Sequence, residues 1–143
     1  MKIRPYRTSD EASVIALWDS CDLLRPWNDP KKGIQRKLGV QAEWFLVGLE
    51  DEQIVATVMA GYEGHRGWVN YLAVAPGQRR QGRGRAIMAA AEELLEAAGC
   101  PKLNLQIRGT NTSAIHFYRR LGYELDDVVS LGKRLAADDS ERR

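Results

Sequence analysis

The sequence is short of the residues that build several common kinds of site. It has two cysteines and two histidines among 143 residues. Cys21 and Cys100 stand far apart, with neither a Cys-x-x-Cys pair nor a Cys/His spacing suited to zinc. A disulfide framework and a metal finger are therefore not expected, no metal is expected, and the two thiols are read as reduced and partly buried. Long apolar runs are also missing. The longest uncharged one, Ile54 to Tyr62, is far too short to cross a bilayer. The opening Met1-Lys2-Ile3-Arg4-Pro5-Tyr6-Arg7 holds no apolar signal core, so no membrane partner is expected and the expected location is the cytoplasm. An excess of either charge is absent too: 21 basic residues face 19 acidic ones, for a net charge of +2. No global basic field points to nucleic acid.

What the sequence does have is a 44% hydrophobic composition, enough for one compact domain, placed at 1–135 and followed by a polar tail, 136–143, expected to be frayed. The chain is organised around the stretch from Trp68 to Ala98. Trp68-Val69-Asn70-Tyr71-Leu72-Ala73-Val74 reads as a strand stopped by Ala75-Pro76-Gly77. Apolar residues at Ile87, Ala91, Leu94, Leu95 and Ala98 then keep helical spacing up to Gly99 and Pro101. Between strand and helix lies Arg79-Arg80-Gln81-Gly82-Arg83-Gly84-Arg85. The unpaired N–H groups of a helix start, two glycines that permit close approach and four arginines make this loop a site for a polyanionic ligand. It has no Gly-Lys-Ser/Thr ending for a P-loop and no third glycine for a dinucleotide fingerprint. Its arginines are confined to one turn while the following helix carries Glu92, Glu93 and Glu96, which argues against a nucleic-acid face.

In chain order, the pattern predicts a strand at Ile3–Tyr6 and a capping box at Thr8-Ser9-Asp10-Glu11, with the Thr8 hydroxyl and the Glu11 carboxylate closing a helix that runs to about Cys21. Val14, Leu17, Trp18 and Cys21 share its apolar face. A proline-broken loop and a weaker helix over Lys31 to Leu38 follow. Strands at Trp44–Leu49 and Ile54–Ala60 flank an acidic hairpin turn. Leu103–Arg108, joined to its predecessor by a helix, implies a parallel, right-handed crossover. Asn111 caps a last helix with face Ala114, Phe117, Tyr118 and Leu121, Gly122 stops it, and Val128–Leu135 is expected to close the sheet.

Arg79-x-x-Gly82-x-Gly84 after Leu72-Ala73-Val74-Ala75-Pro76, with Asn111-x-x-Ala114-x-x-x-Tyr118-x-x-x-Gly122-Tyr123 downstream, resembles the GCN5-related N-acetyltransferases. Arg25-Pro26-Trp27-Asn28-Asp29-Pro30, Gly64-His65-Arg66-Gly67 and Ser130-Leu131-Gly132-Lys133-Arg134-Leu135 are similar to a subgroup of small bacterial members. The resemblance covers nearly the whole chain. It implies an α/β fold: a mixed, mostly antiparallel sheet with helices on both faces, whose parallel strand pair splays into a V that holds acetyl-CoA. It implies acetyl-CoA as cosubstrate and direct transfer to a primary amine, either of a small molecule or of a peptide N-terminus, with a homodimer as a further partner.

The resemblance also assigns roles. Backbone from Arg80 to Arg85, with Arg79, Gln81, Gly82, Arg83 and Gly84 in the same loop, would hold the pyrophosphate. The strand N–H groups at Leu72, Ala73 and Val74 would face the oxyanion. Asn111 would bond the pantetheine arm as well as cap its helix, and Tyr118 would give the thiolate its proton while also serving as a packed aromatic. Ribosomal-protein alanine acetyltransferases, relatives in this region, carry a glutamate where this chain has Gln106, and an amide cannot accept the amine's proton. Glu63 and His65 are the candidates left, directly or through water, each equally at home in a polar turn. A weak base would favour an α-amine of pKa ~8 over a lysine at ~10.4. The acceptor site would form at Leu24–Asp29, where Trp27 offers an aromatic wall, Asp29 a carboxylate for a cation, and Arg25 a group for a carboxylate. Against turnover stands a second reading, in which the fold binds acetyl-CoA as a sensor or partner domain.

Overall fold

The computed structural model describes residues 1–138. They form two compact units, Met1–Leu105 with Asp138, and Gln106–Ala137. The first unit holds a five-stranded sheet in the order β1-β2-β3-β4-β5, with β1 Lys2–Pro5, β2 Phe45–Glu50, β3 Gln53–Tyr62, β4 Gly67–Val74 and β5 Leu103–Asn104. The first four strands pair antiparallel in sequence, and β4 with β5 is the parallel pair. The expected mixed, mostly antiparallel α/β architecture is what forms.

Why β2 and β3 take the centre is visible in their composition. Phe45 to Leu49 and Val55 to Ala60 are buried without a break, as strands covered on both faces must be. The hairpin between them turns on Asp51 and Glu52, both left-handed at φ 49° and 65°, the twist that a two-residue connection needs. One face receives α1 (Glu11–Ser20) and α2 (Pro30–Leu38), whose Val14, Leu17, Trp18 and Ile34 meet Phe45, Val47, Met59 and Ala73. The alternation of a strand turns Ala56, Val58 and Ala60 to the other face, where α3 (Arg83–Ala97) lays Ile87, Met88, Ala91 and Leu95 along β3 and β4.

Helix ends follow from local chemistry. Asp29 caps α2 by accepting the Lys31 N–H at 3.0 Å, and Pro30 fills the first helical position. Beyond α3, Gly99 sits at φ 83° and Cys100 N–H returns to the Leu95 carbonyl. The start of α1 differs from the expected capping box. Thr8–Asp10 forms a 3-10 turn in which the Asp10 carboxylate accepts the Arg7 N–H at 2.8 Å and pairs with both terminal nitrogens of Arg4. The arginine on β1 draws the acidic group one residue earlier than the motif would use.

The second unit contains α4 (Thr112–Arg120), capped by Asn111, whose carboxamide oxygen accepts the Ala114 N–H at 3.1 Å. Gly122, at φ 98°, ends it, and Tyr123 N–H returns to the Tyr118 carbonyl. Two strand expectations are corrected. The strand expected at Leu103–Arg108 is limited to Leu103–Asn104, and no strand forms over Val128–Leu135. Val128, Val129, Leu131 and Leu135 are all exposed, Leu131 to 92%, so the alternation over Val128–Leu135 finds no surface to cover, and Gly132 weakens that strand further. In the expected tail, Asp138 is not frayed: it is buried and paired with Arg36. Residues 139–143 of that tail lie outside the described residues.

Candidate active site

The parallel ladder consists of two pairs, Gly67 with Leu103 and Trp68 with Asn104. From Tyr71 to Val74, therefore, β4 has no β5 partner along one edge, while on the other Ala73 and Val74 pair with Thr57 and Ala56 of β3. Ala75 N–H goes to the Val55 carbonyl on β3 at 2.8 Å, so the alternation of a strand turns the Val74 N–H and C=O to the opposite edge. There the Val74 carbonyl accepts Arg79 Nε at 2.9 Å and the Cys21 thiol at 3.3 Å. Leu72 and Val74 are half-buried and Ala73 is buried.

This opening is sustained by a kink in β4. Pairing with β3 shifts register between Thr57 and Met59, and Tyr71 takes φ 53° in the middle of the strand, a strained conformation for an aromatic residue. Thr57, wholly buried, secures it: the hydroxyl donates to the Tyr71 carbonyl and accepts the Trp18 indole N–H, both at 2.9 Å. The Tyr71 ring stacks on Trp18 with centroids 3.9 Å apart. Trp18 is the core residue its spacing predicted, and it also holds the kink.

The loop after β4 ends at the start of α3. Arg80 at φ 63° and Gly82 at φ 80° turn the chain into the helix, and no side chain caps it. Ala86 N–H makes the first return bond, to Gly82, so the N–H groups of Arg83, Gly84 and Arg85 precede the helical ladder. A Cβ on Gly82 would meet nothing within 4 Å, which leaves the backbone open to a large anion. Arg79, Arg80, Gln81 and Arg85 are exposed. Arg83 is not part of a free positive cluster. Its guanidinium pairs with Glu50 through Nη2 at 2.8 Å and Nε at 2.9 Å, and also reaches Gln81 Oε1.

Of the residues read as acceptor contacts, Arg25 and Asp29 line one depression of about 290 Å³ with Ile15, Leu24, Asn28, Pro30 and Lys31; Trp27, 44% exposed, is not in its lining. Arg25 is used within its own loop, where Nη1 donates to the Asp22 and Leu24 carbonyls at 2.8 Å. The Asp29 carboxylate is buried as a helix cap. Glu63 is exposed, and its Oε1 accepts the His65 and Arg66 N–H groups, both at 2.6 Å. Those bonds, that from Arg66 foremost, hold its carboxyl below the usual range, which makes it a weak base.

In the second unit the half-buried Tyr118 ring meets Phe117 and Tyr123 edge-on, with centroids 5.1 and 5.7 Å away. Burial pushes its phenol up, so it stays protonated well beyond neutral pH. The Gln106 amide donates to the Ser130 hydroxyl. Sequence reasoning missed the Thr57 bracket, because a buried threonine in a strand gives no signal by type. It also missed Lys37, whose ammonium donates to the Ala60 carbonyl and is pushed down by burial.

The first unit is thus an α/β protein with a mixed sheet whose parallel pair parts beside an uncapped helix start, and such a start favours an anion. The acetyltransferase (GNAT) family matches residues 12–123, and the chain belongs to that family. It is similar to an acetyltransferase of Yersinia enterocolitica, 49% identical over 138 residues that span 96% of this chain and 98% of the other. Ard1 of Thermoplasma volcanium has the same fold at TM-score 0.76 and 23% identity, covering 87% of this chain and 83% of that one. So does the ribosomal-protein-S18-alanine N-acetyltransferase of Escherichia coli, at TM-score 0.71 and 24% identity, covering 85% and 76%. The chain is thus an acetyltransferase, and acetyl-CoA is its family's donor. No helix among the described residues is long and apolar enough to cross a membrane, and none of them form a cluster fit to hold a metal ion.

Proposed function

We propose that this chain, as one transferase domain over 1–135 acting in the cytoplasm, moves the acetyl group of acetyl-CoA directly to a primary amine of a small molecule or a peptide N-terminus. One observation carries the reading: the edge of β4 from Tyr71 to Val74 has no β5 partner and leads straight into the uncapped start of α3. The N–H groups at Arg83 to Arg85, with the exposed Arg79, Arg80 and Arg85 around them, fit a pyrophosphate, and the Gly82 backbone leaves room for it. The outward Val74 N–H, with Leu72 and Ala73 beside it, meets the thioester oxygen and stabilises the charge that develops there.

The amine nitrogen forms a bond to the carbonyl carbon, the oxyanion collapses, and the carbon–sulfur bond breaks with the pair leaving on sulfur. Tyr118 returns a proton to that thiolate, and Asn111 bonds the pantetheine arm. The amine's proton leaves through water toward Glu63. Because that carboxylate is a weak base, the reading favours acceptors whose amine is already largely neutral near pH 8, α-amines above ε-amines.

The test is acetyl-CoA binding by calorimetry followed by thiol release against a panel of amines, for wild type and Tyr118→Phe. Binding within about threefold of wild type and kcat reduced by about 10²-fold are expected for Tyr118→Phe. Binding without thiol release from any amine would replace the transferase by an acetyl-CoA sensor. No binding at all would overturn the reading of the Arg79–Arg85 loop.

A further inference from the structure

The strongest unassigned cluster sits on α2. Arg36 grips the Asp138 carboxylate with both terminal nitrogens, Nη1 to Oδ2 at 2.9 Å and Nη2 to Oδ1 at 3.0 Å, and Lys32 Nζ stands 3.9 Å from Oδ1. The Asp29 N–H, one residue before the helix, adds a further hydrogen bond, and Arg36 foremost holds the Asp138 carboxyl below its ordinary range. Asp138 is 7% exposed, although it is separated from Arg36 by 102 positions and sits in a segment with no regular structure. The two cations that hold it are exposed to water on their other sides, at 63% for Arg36 and 49% for Lys32. The carboxylate is therefore enclosed while its receptor reaches solvent, the arrangement of an occupant in a site.

Two neighbours say what the site serves. Asp29, which binds the carboxylate through its main chain, also lines the depression with Ile15, Leu24, Asn28 and Pro30, so a group held by Arg36 adjoins a space of about 290 Å³. Tyr71, the kinked residue of β4 next to Leu72–Val74, lies close enough for the Asp138 charge to add to burial in raising its phenol. Arg25, the sequence's candidate for a substrate carboxylate, is taken by its own loop, whereas Arg36 presents the planar fork that a carboxylate fits.

We infer that Arg36, with Lys32 and the Asp29 N–H, is the receptor for a carboxylate on the acceptor, and that Asp138 is a tethered stand-in which the acceptor displaces. The acceptor class is then an amino acid or a short peptide with a free carboxylate near its amine, and Asp138 sets a threshold for its entry. The identity of the displacing molecule rests on the transferase reading above; the competition for Arg36 does not.

The experiment reads binding, not turnover. The guanidinium Nε–H signal of Arg36 is followed by NMR in the full chain while N-acetyl amino acids with apolar, cationic and anionic side chains are titrated in, each beside its uncharged amide. An occupant present about nine-tenths of the time lowers apparent affinity about tenfold. Asp138→Asn is therefore expected to bind at least one N-acetyl amino acid about tenfold tighter than wild type does, while the matching amide gains nothing. Adding Arg36→Gln to Asp138→Asn, followed through the Asp29 backbone amide signal that every variant keeps, should abolish that gain, and Asp138→Ala should repeat it. Equal affinity of wild type and Asp138→Asn across the panel, or an amide that binds as well as its acid, would overturn the inference. If the pattern appears in a chain that releases no thiol from any amine, the carboxylate site stands and the transferase reading fails.

Discussion

Thr57→Val tests whether one hydroxyl holds the kink in β4. Valine matches the shape of threonine, so the substitution leaves the core filled and removes only the bonds to Trp18 Nε1 and the Tyr71 carbonyl, both 2.9 Å long. Thr57 and Trp18 are fully buried and Tyr71 is half-buried, so the indole N–H has no solvent to turn to when the hydroxyl is removed. An orphaned donor and an orphaned acceptor cost about 1–3 kcal/mol each, and the added methyl returns about 0.8 kcal/mol. A net loss of about 2–4 kcal/mol is expected, equivalent to roughly 5–15 °C in melting temperature for a chain of this size. Urea unfolding of wild type, Thr57→Val, Trp18→Phe and the double variant closes a cycle. With the indole N–H already gone, Thr57→Val should cost about 1 kcal/mol less than it does alone. A Thr57→Val protein within about 0.5 kcal/mol of wild type would refute the claim that this hydroxyl secures Tyr71.

Gly67→Ala places a Cβ 2.8 Å from Cys100 Sγ and 3.0 Å from Leu95 Cδ2, at the first pair of the parallel ladder. A loss of about 1–3 kcal/mol in chemical unfolding is expected, relieved in part by Cys100→Ala. Asp10→Asn removes a carboxylate that Arg4 holds below its ordinary value of 3.8. Such a group stabilises the native state above that value and loses its effect as pH falls through the lower native one. The deficit of the variant, about 1–3 kcal/mol, should be constant from pH 5 to 7 and shrink below about pH 4 in acid titrations followed by circular dichroism. At the loop, Arg83→Ala should cost stability through Glu50 but change acetyl-CoA affinity less than about threefold. Gly82→Ala, held at φ 80° in open space, should cost about 1–2 kcal/mol of backbone strain and weaken acetyl-CoA binding in calorimetry by about tenfold.

Strands and helices packed on both faces were legible because burial imposes periodicity. Val14, Leu17 and Trp18 on α1, and the unbroken apolar runs of β2 and β3, could be assigned without coordinates. The turn from Arg79 into α3 was legible because Gly82 and Gly84 break the strand pattern just where helical periodicity begins. The partners of long charged side chains were not legible. Arg83 and Arg25 read as groups free to meet a ligand; Arg83 is claimed by Glu50 of β2, which only the fold brings close, and Arg25 by the Asp22 and Leu24 carbonyls of its own turn. The positive φ at Tyr71 had no signal either, since the residues that favour it are glycine and asparagine. Val128–Leu135 shows the converse, for apolar alternation states a preference and a strand needs a partner edge.

The short parallel ladder has a consequence for motion. β4 is fastened to β3 along six residue pairs and to β5 along two. Amide hydrogens of the β2–β3 and β3–β4 ladders should exchange with solvent slowest and those at Leu103 and Asn104 fastest within the sheet, since fewer bonds must open there. The strand proposed to meet the cofactor is thus stiff on one flank and compliant on the other, and on that proposal acyl groups longer than acetyl would meet a boundary that yields before the core does.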